Sequence, residues 1–175
     1  MLLRLPDFVD PWRLADVGKR LEGDVSLGRF SRLAQLVLSS AGDAVYTLDF
    51  FRDRQKRACV KLHVSAAFDM QCQRCMQAMR VEVESHPHLV VVEGIEEAEQ
   101  LPEELEPLML EKGRLRPLEL LEDEILLALP QVPMHAEGEC AVKLATAPME
   151  EVEPKAGEQE ENPFAALAAL KRHDA

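Results

Sequence analysis

Apolar and polar residues alternate along the middle of the chain, between residues 44 and 92. The alternation is clearest in one stretch, where every second residue is apolar: Val60, Leu62, Val64, Ala66 and Phe68. A period of two residues is typical of a β-strand with one buried face. Residues 45–50 and 81–83 show the same period, and residues 88–92 are rich in β-branched side chains. Together these runs predict an antiparallel β-meander of about four strands.

Farther along the chain the apolar spacing changes from two residues to three or four. The residues that recur at this spacing are Leu118, Leu121, Ile125 and Leu129. They predict an amphipathic helix that starts at Pro117 and stops before Pro130. The acidic residues opposite the apolar stripe are predicted to form a solvated face: Glu119, Glu122 and Asp123.

The segments on either side of this core have different compositions. Residues 1–43 are predicted to be an N-terminal segment with short helices, at about residues 11–21 and 26–40. Residues 44–145 form the predicted core domain, which contains the meander, a CxxC hairpin and the amphipathic helix. Residues 146–161 are rich in Glu, Pro, Ala and Gly, and this composition predicts a disordered acidic linker.

The last segment, residues 162–175, contains the sequence NPFAALAALKR. Asn and Pro at its start favour a helix that carries Phe164, Leu167 and Leu170 on one side. So short a helix is marginal alone in water, so we expect it to dock on its own domain or on a partner. The whole pattern predicts an α+β fold, namely an antiparallel β-meander with a packed amphipathic helix and a tethered C-terminal helix.

The formal net charge of −12 is unevenly distributed. Residues 1–92 hold 13 Lys and Arg against 11 Asp and Glu, whereas residues 93–161 hold 5 against 20. The total charge therefore does not predict bulk binding to nucleic acid. A local basic face stays open as a hypothesis, and its candidate residues are Arg52, Arg54, Lys56, Arg57, Arg74 and Arg80. The alternative is that these residues only keep the hairpin loops soluble.

The first 14 residues do not resemble a signal peptide, because Pro6, Asp7, Asp10 and Pro11 interrupt any apolar run. No apolar run approaches the length needed to span a membrane. The sequence therefore predicts a cytoplasmic protein with no membrane partner. Thiols stay reduced in that compartment, so a structural disulfide is the least favoured interpretation of the four cysteines.

Cys72 and Cys75 are separated by two residues and lie between two predicted strands. Such a pair can bind a metal ion, act as a redox dithiol, form a disulfide or remain as two free thiols. This spacing lets both thiolates reach one ion, but it supplies only half of a tetrahedral site. His135 and Cys140 follow the predicted helix and are the best candidates for the other half, which would give a Cys3His zinc site. Cys59 and His63 are weaker candidates because they lie on a strand, and the alternative for His135 and Cys140 is a surface loop with a free thiol.

Catalytic motifs are absent from the sequence. A redox CxxC normally lies between a strand and the N-terminus of a helix, where the helix dipole lowers a thiol pKa, and here strands flank it on both sides. The chain has no GxSxG, no HExxH and no phosphate-binding glycine loop. We therefore expect no enzymatic activity and no small-molecule substrate.

Three stretches together resemble the YceD family, the large ribosomal RNA subunit accumulation proteins. They are CQRC at residues 72–75, the run from residue 101 to residue 135 that contains LRPLELLEDEILLALPQVPMH, and the closing NPFAALAALKR. The resemblance covers most of the chain and is weakest in the amino-terminal third. Many relatives carry further cysteines after the main helix, where this sequence has His135 and Cys140. That arrangement resembles a metal site of which the CxxC is the constant half. This sequence departs from that pattern, since it has one His and one Cys there.

The resemblance implies a non-enzymatic role in making the large ribosomal subunit, with accumulation of its rRNA as the outcome. The partner that it implies is large-subunit rRNA or a large-subunit ribosomal protein. Two modes of action follow from the charge pattern. The basic hairpin loops favour direct contact with RNA, whereas the acidic segment favours an adaptor that binds a basic ribosomal protein. A thiol redox protein is a third hypothesis.

Overall fold

The computed structural model describes residues 5–110 and 113–140. In these ranges the chain forms six strands and three helices, joined in part by two short 3-10 turns. In chain order the elements are α1 (Pro11–Asp16), β1 (Arg20–Ser26), the turns Leu27–Arg29 and Leu33–Gln35, β2 (Asp43–Arg52), β3 (Ala58–Gln71), β4 (Ala78–Ser85), β5 (His88–Val92), α2 (Ile95–Glu99), β6 (Glu106–Met109) and α3 (Pro117–Leu127). None of the helices in these ranges is long and apolar enough to cross a membrane.

The strands form one sheet in which β3 is the longest strand. β1 pairs with β2 and β2 with β3, both in antiparallel fashion, while β6 lies parallel to β5 at the far edge. The antiparallel sheet and the helix packed against it confirm the predicted α+β fold class.

β4 and β5 are two halves of one ladder along the same side of β3. Val64 pairs with Ser85 of β4 and Lys61 pairs with His88 of β5. Three residues separate the two pairs on each side, so β4 and β5 share one continuous register along β3. A backbone N–H of β3 donates to the carbonyl oxygen of Pro87 across the gap, at 3.1 Å. Pro87 has no N–H of its own to donate, which explains why regular pairing stops there.

The main core lies on one face of the sheet. The alternating residues predicted to point inward are buried in all three central strands, with Leu48, Val60 and Val64 almost completely excluded from solvent. α1 packs on β2 and β3, and α3 packs on β3 and β4. Burial of these large apolar side chains is the dominant stabilising contribution to the fold.

Among the described residues, the opposite face of the sheet is covered at one end only. There Cys59, Val90 and Val92 form a second apolar cluster, and residues from α2 to β6 pack against it. Elsewhere on this face the side chains of the strands are half-buried or exposed to solvent.

The predicted helix at residues 26–40 is wrong, because this segment forms two 3-10 turns. Leu27, Phe30 and Leu33 are completely buried and are spaced three residues apart. That spacing matches the three-residue repeat of a 3-10 helix. Leu36, an apolar residue within the predicted helix, is 52% exposed.

β1 was not predicted, because only two of its residues carry an apolar signal. Val25 is buried, Leu21 is half-buried, and the rest of the strand is polar or Gly23. A Cβ at Gly23 would lie 3.3 Å from the hydroxyl oxygen of Tyr46, so the close approach of this edge strand favours glycine.

The predicted solvated face of α3 needs a correction at Glu122, which is buried. Its carboxylate accepts hydrogen bonds from the backbone N–H groups of Arg32 (2.7 Å) and Leu33 (3.2 Å), and from the Arg32 guanidinium (3.1 Å). The carboxylate therefore satisfies N–H groups at the start of the second 3-10 turn. Glu119 and Asp123 are exposed as predicted. The predicted linker at 146–161 and the helix at 162–175, with Phe164, Leu167 and Leu170, lie outside the described residues.

Candidate metal centre

The CxxC pair forms a tight turn between β3 and β4. The N–H of Cys72 donates to the carbonyl oxygen of Gln77, and the N–H of Met76 donates back to Cys72, both at 2.9 Å. Met76 closes the turn in the left-handed region, at a φ of 59°. This geometry points both thiols inward, and Cys72 and Cys75 are buried.

A loop after α3 covers this turn. The N–H of Gln73 donates to the carbonyl oxygen of Pro133 at 2.8 Å, which fixes the start of the loop against the CxxC turn. The loop then carries His135 and Cys140 to the two cysteines. Residues about 60 positions apart in sequence therefore meet at one end of the sheet.

Four ligand atoms converge there. The Sγ atoms of Cys72, Cys75 and Cys140 and a ring nitrogen of His135 all lie within 4.8 Å of one another. Nδ1 of His135 is 3.3 Å from Sγ of Cys75 and 3.9 Å from Sγ of Cys140. Around a tetrahedral ion with ordinary bond lengths, a sulfur and a nitrogen ligand are about 3.5 Å apart. The spacing of the cluster therefore fits a single metal ion.

The environment of Cys72 favours its thiolate. Burial alone would raise the pKa of this thiol, but hydrogen bonds from the backbone N–H groups of Cys75, His135 and Arg74 outweigh burial and lower the pKa to about 5. The N–H of His135 lies 3.5 Å from the sulfur. A thiolate is the form that binds a metal ion.

Cys75 is placed differently. The N–H of Gln77 favours its thiolate, but burial and the neighbouring sulfurs of Cys140 and Cys72 raise the pKa of Cys75 overall. Three thiolates this close together repel one another, and a divalent cation between them removes that repulsion.

Arg74 connects the turn to the loop. Its Nε donates to Sγ of Cys140 at 3.0 Å, and one Nη donates to the carbonyl oxygens of His135 (2.9 Å) and Ala136 (3.0 Å). The hydrogen bond to Cys140 raises the pKa of the Arg74 guanidinium above its ordinary value. Arg74 was a candidate for nucleic-acid binding, and in the structure it holds the loop that follows α3.

The other basic candidates also make contacts within the domain. The pairs are Arg52 with Asp16 (2.8 Å), Arg57 with Asp53 (2.7 Å) and Arg80 with Asp69 (3.4 Å). Arg54 and Lys56 are exposed in the turn between β2 and β3. That turn and the CxxC turn lie at opposite ends of β3, roughly 40 Å apart along a strand of 14 residues. The two loops therefore do not form the single basic face considered from the sequence.

The weaker ligand candidates lie away from the cluster. Cys59 is in the second apolar cluster, where burial raises the pKa of its thiol. His63 is on the open face of the sheet beside Glu84 and His86, a grouping that the sequence pattern did not reveal. The register of β3 against β4 was the signal that would have shown it.

Comparison with known proteins gives a consistent result. The family model described as "Large ribosomal RNA subunit accumulation protein YceD" matches residues 60–171, a range that contains all four residues of the cluster. A protein of Haemophilus influenzae with the same name is 36% identical over 173 residues, which cover 97% of this chain and 98% of that protein. No solved structure matches the chain. The chain therefore belongs to the YceD family of large ribosomal RNA subunit accumulation proteins.

Proposed function

We propose that this protein is a non-enzymatic cytoplasmic factor that supports accumulation of large-subunit rRNA. The names of the matching family and of the Haemophilus influenzae relative support a role in this process. The geometry supports a mode of action in which the protein binds a basic protein of the large ribosomal subunit.

The observation that carries this mode is a run of unpaired acidic side chains. Residues 93–106 contain seven glutamates and neither Lys nor Arg. All seven are exposed, and none forms an ion pair with another residue in the described ranges. A concentrated negative surface attracts cationic partners and repels the phosphates of RNA. Four of the six basic candidates for RNA contact are, by contrast, already engaged within the domain.

We further propose that the four-residue cluster binds one structural zinc ion. Three thiolates and one imidazole are an accepted ligand set for structural zinc, and four protein ligands leave no open position for a substrate. The zinc ion would join the CxxC turn to the loop after α3. It would hold these two segments in one fixed arrangement. This role agrees with a non-enzymatic function.

Binding measurements on the full-length protein test the proposed partner. Two variants separate the modes: one with Glu96, Glu99, Glu103 and Glu104 changed to Gln, and one with Arg54→Gln and Lys56→Gln. Removing four exposed charges should weaken binding to isolated basic large-subunit proteins roughly tenfold at physiological salt, and the basic-loop variant should bind them as the parent does. Truncation after Glu161 should also weaken this binding, if Phe164, Leu167 and Leu170 contact the partner.

The same preparations are then tested with naked large-subunit rRNA. We expect weak binding that falls further as salt is raised. Tight binding to rRNA at physiological salt, reduced by the basic-loop variant and unaffected by the acidic one, would overturn the adaptor mode. Binding to neither class of partner would overturn the proposed function.

A further inference from the structure

A second group of side chains converges on the open face of the sheet. β3 presents His63 to this face, where its cross-strand neighbour on β2 is Thr47. On the other side, the register that pairs Ser65 with Glu84 places His86 opposite His63 when the ladder continues by two residues. Glu84 and His86 are two residues apart on an extended chain, so both point to the same face as His63.

The three side chains meet at one carboxylate oxygen. Oε1 of Glu84 is 2.9 Å from Nε2 of His63 and 3.2 Å from Nε2 of His86. The two imidazole rings are stacked, with centroids 4.4 Å apart and planes 2° apart. The ligand atoms of His63, Glu84 and His86 all lie within 4.8 Å of one another. These residues lie far along β3 from the cysteine cluster and share no residue with it.

We propose that His63, Glu84 and His86 form an exposed binding site for one divalent transition-metal ion such as Zn²⁺, Ni²⁺ or Cu²⁺. Imidazole nitrogen combined with a carboxylate oxygen is a ligand set suited to these ions. Two ligands about 2.1 Å from one ion, at an angle of about 100°, are about 3.2 Å apart, and both observed nitrogen–oxygen distances are close to this value. The stacked rings must rotate apart for both Nε2 atoms to point at one ion, and their exposure to solvent leaves room for that rotation.

This site differs in kind from the cysteine cluster. It has no sulfur ligand, and its side chains are half-exposed or exposed, so three protein ligands leave coordination positions open to solvent. An ion held there exchanges with solution more readily than an ion enclosed by four ligands. The proposal does not depend on the ribosomal partner or on zinc in the cysteine cluster.

Titration with Ni²⁺ tests the site, with tag-free full-length protein whose zinc content has first been adjusted to one ion per chain, so that only the enclosed cysteine cluster holds zinc. We expect one further ion per chain by calorimetry, without release of zinc and without thiolate-to-nickel absorption. His86→Gln should weaken Ni²⁺ binding at least about tenfold, and His63→Gln should do the same. Because His86 is exposed, its variant is expected to fold as the parent does, and circular dichroism checks this.

His88→Gln is the matched control. His88 is the next residue on the same face of the same ladder, but its ring packs against Phe51 and it does not belong to the cluster. Its substitution should leave Ni²⁺ affinity unchanged. Equal affinity in the parent and His86→Gln proteins would overturn the proposal, as would an equal loss in His88→Gln or binding that displaces zinc from the cysteines.

Discussion

The two ends of β3 carry turns that are held in different ways. The turn at residues 53–57 is closed by its own residues, since Asp53 accepts hydrogen bonds from the backbone N–H of Arg57 (2.8 Å) and from its guanidinium (2.7 Å). The turn at residues 72–77 is held by a loop that lies about 60 positions later in the chain. Both turns contain local hydrogen bonds, but the CxxC turn is in addition fixed by a long-range contact.

The difference has a thermodynamic consequence. A contact between residues four positions apart restricts very little additional chain, whereas fixing residues 133–140 on the CxxC turn orders a long segment and costs more conformational entropy. The few hydrogen bonds that hold this loop to the turn are weak compensation for that cost. The metal ion that we propose for the cluster would be bound by both segments and would supply this stabilisation, because its binding free energy becomes folding free energy at that end.

Removal of the metal ion should therefore lower stability more than the other changes that we propose. It should affect only the end of β3 that carries the CxxC turn. Purified protein should contain about one zinc ion per chain, and Cys75→Ser should lose it and lose on the order of 4 kcal/mol of stability. Hydrogen exchange should accelerate in residues 72–77 and 133–140 and stay unchanged in residues 53–57. Metal analysis and exchange mass spectrometry measure the two effects.

Cys59→Ala is the control for this experiment, because Cys59 is a buried cysteine outside the cluster. It should keep the full zinc content, although filling its site with a smaller side chain costs some stability. A fully folded parent protein without metal, or faster exchange at both ends of β3 in Cys75→Ser, would contradict the long-range closure.

Arg74→Gln should have an intermediate effect. The substitution removes the donor to Cys140 and at least one of the two hydrogen bonds to the loop carbonyls. Groups that orient metal ligands typically contribute 10- to 100-fold to affinity, so zinc affinity should fall by about tenfold or more while the site still forms. Competition with a chromophoric chelator measures this change.

Arg80→Gln is the matched control at the same end of the sheet. Within the part of the chain that the structure describes, Arg80 forms an ion pair with Asp69 alone, at 3.4 Å, and both side chains are about half exposed. Its loss should leave zinc affinity unchanged and alter stability by less than about 1 kcal/mol. If Arg80→Gln and Arg74→Gln weaken zinc binding equally, Arg74 acts only through its charge and not through its contacts with the loop.

The sequence predicted the faces of the strands better than it predicted what meets at their ends. Alternation in β3 placed Val60 and Val64 inside because burial on a pleated strand follows a period of two. The convergence of the four cluster residues was also predicted, because few Cys and His residues were available to complete the CxxC pair. Glu122 was assigned to solvent because helical periodicity shows which side of a helix is polar but not which backbone groups lie opposite it.

The two basic turns do not share one face, for a reason that the sequence already contained, and RNA binding by their residues stays a prediction. Two successive hairpin turns in a meander flank the same strand, so they lie at opposite ends of it, and the apolar alternation had already indicated a long β3. The pairing of His63 with Glu84 and His86 depends on register instead. The register between β3 and β4 cannot be obtained from the period alone, because a shift of one residue would place these side chains on opposite faces.

The smallest predicted effect belongs to the local turn. Burial raises the pKa of Asp53, but the hydrogen bonds and charge of Arg57 outweigh it and hold the pKa of Asp53 below its ordinary value of 3.8. A lowered pKa in the folded state means that Asp53 contributes its stability above that ordinary value and loses it as the pH falls below it. Asp53→Asn should therefore cost about 1 kcal/mol at neutral pH, with a difference that shrinks in acid. Urea unfolding at about pH 7 and about pH 3 measures it.

Asp69→Asn is the control for the local turn, since it removes an exposed carboxylate from the pair with Arg80 and should change stability little at either pH. Zinc content should stay at one ion per chain in both variants, because neither Asp53 nor Asp69 contacts the cysteine cluster. If Asp53→Asn lowers stability as much as Cys75→Ser, or accelerates exchange in residues 133–140, the two ends of β3 form one cooperative unit. Local closure at residues 53–57 requires that the effect stay within that turn.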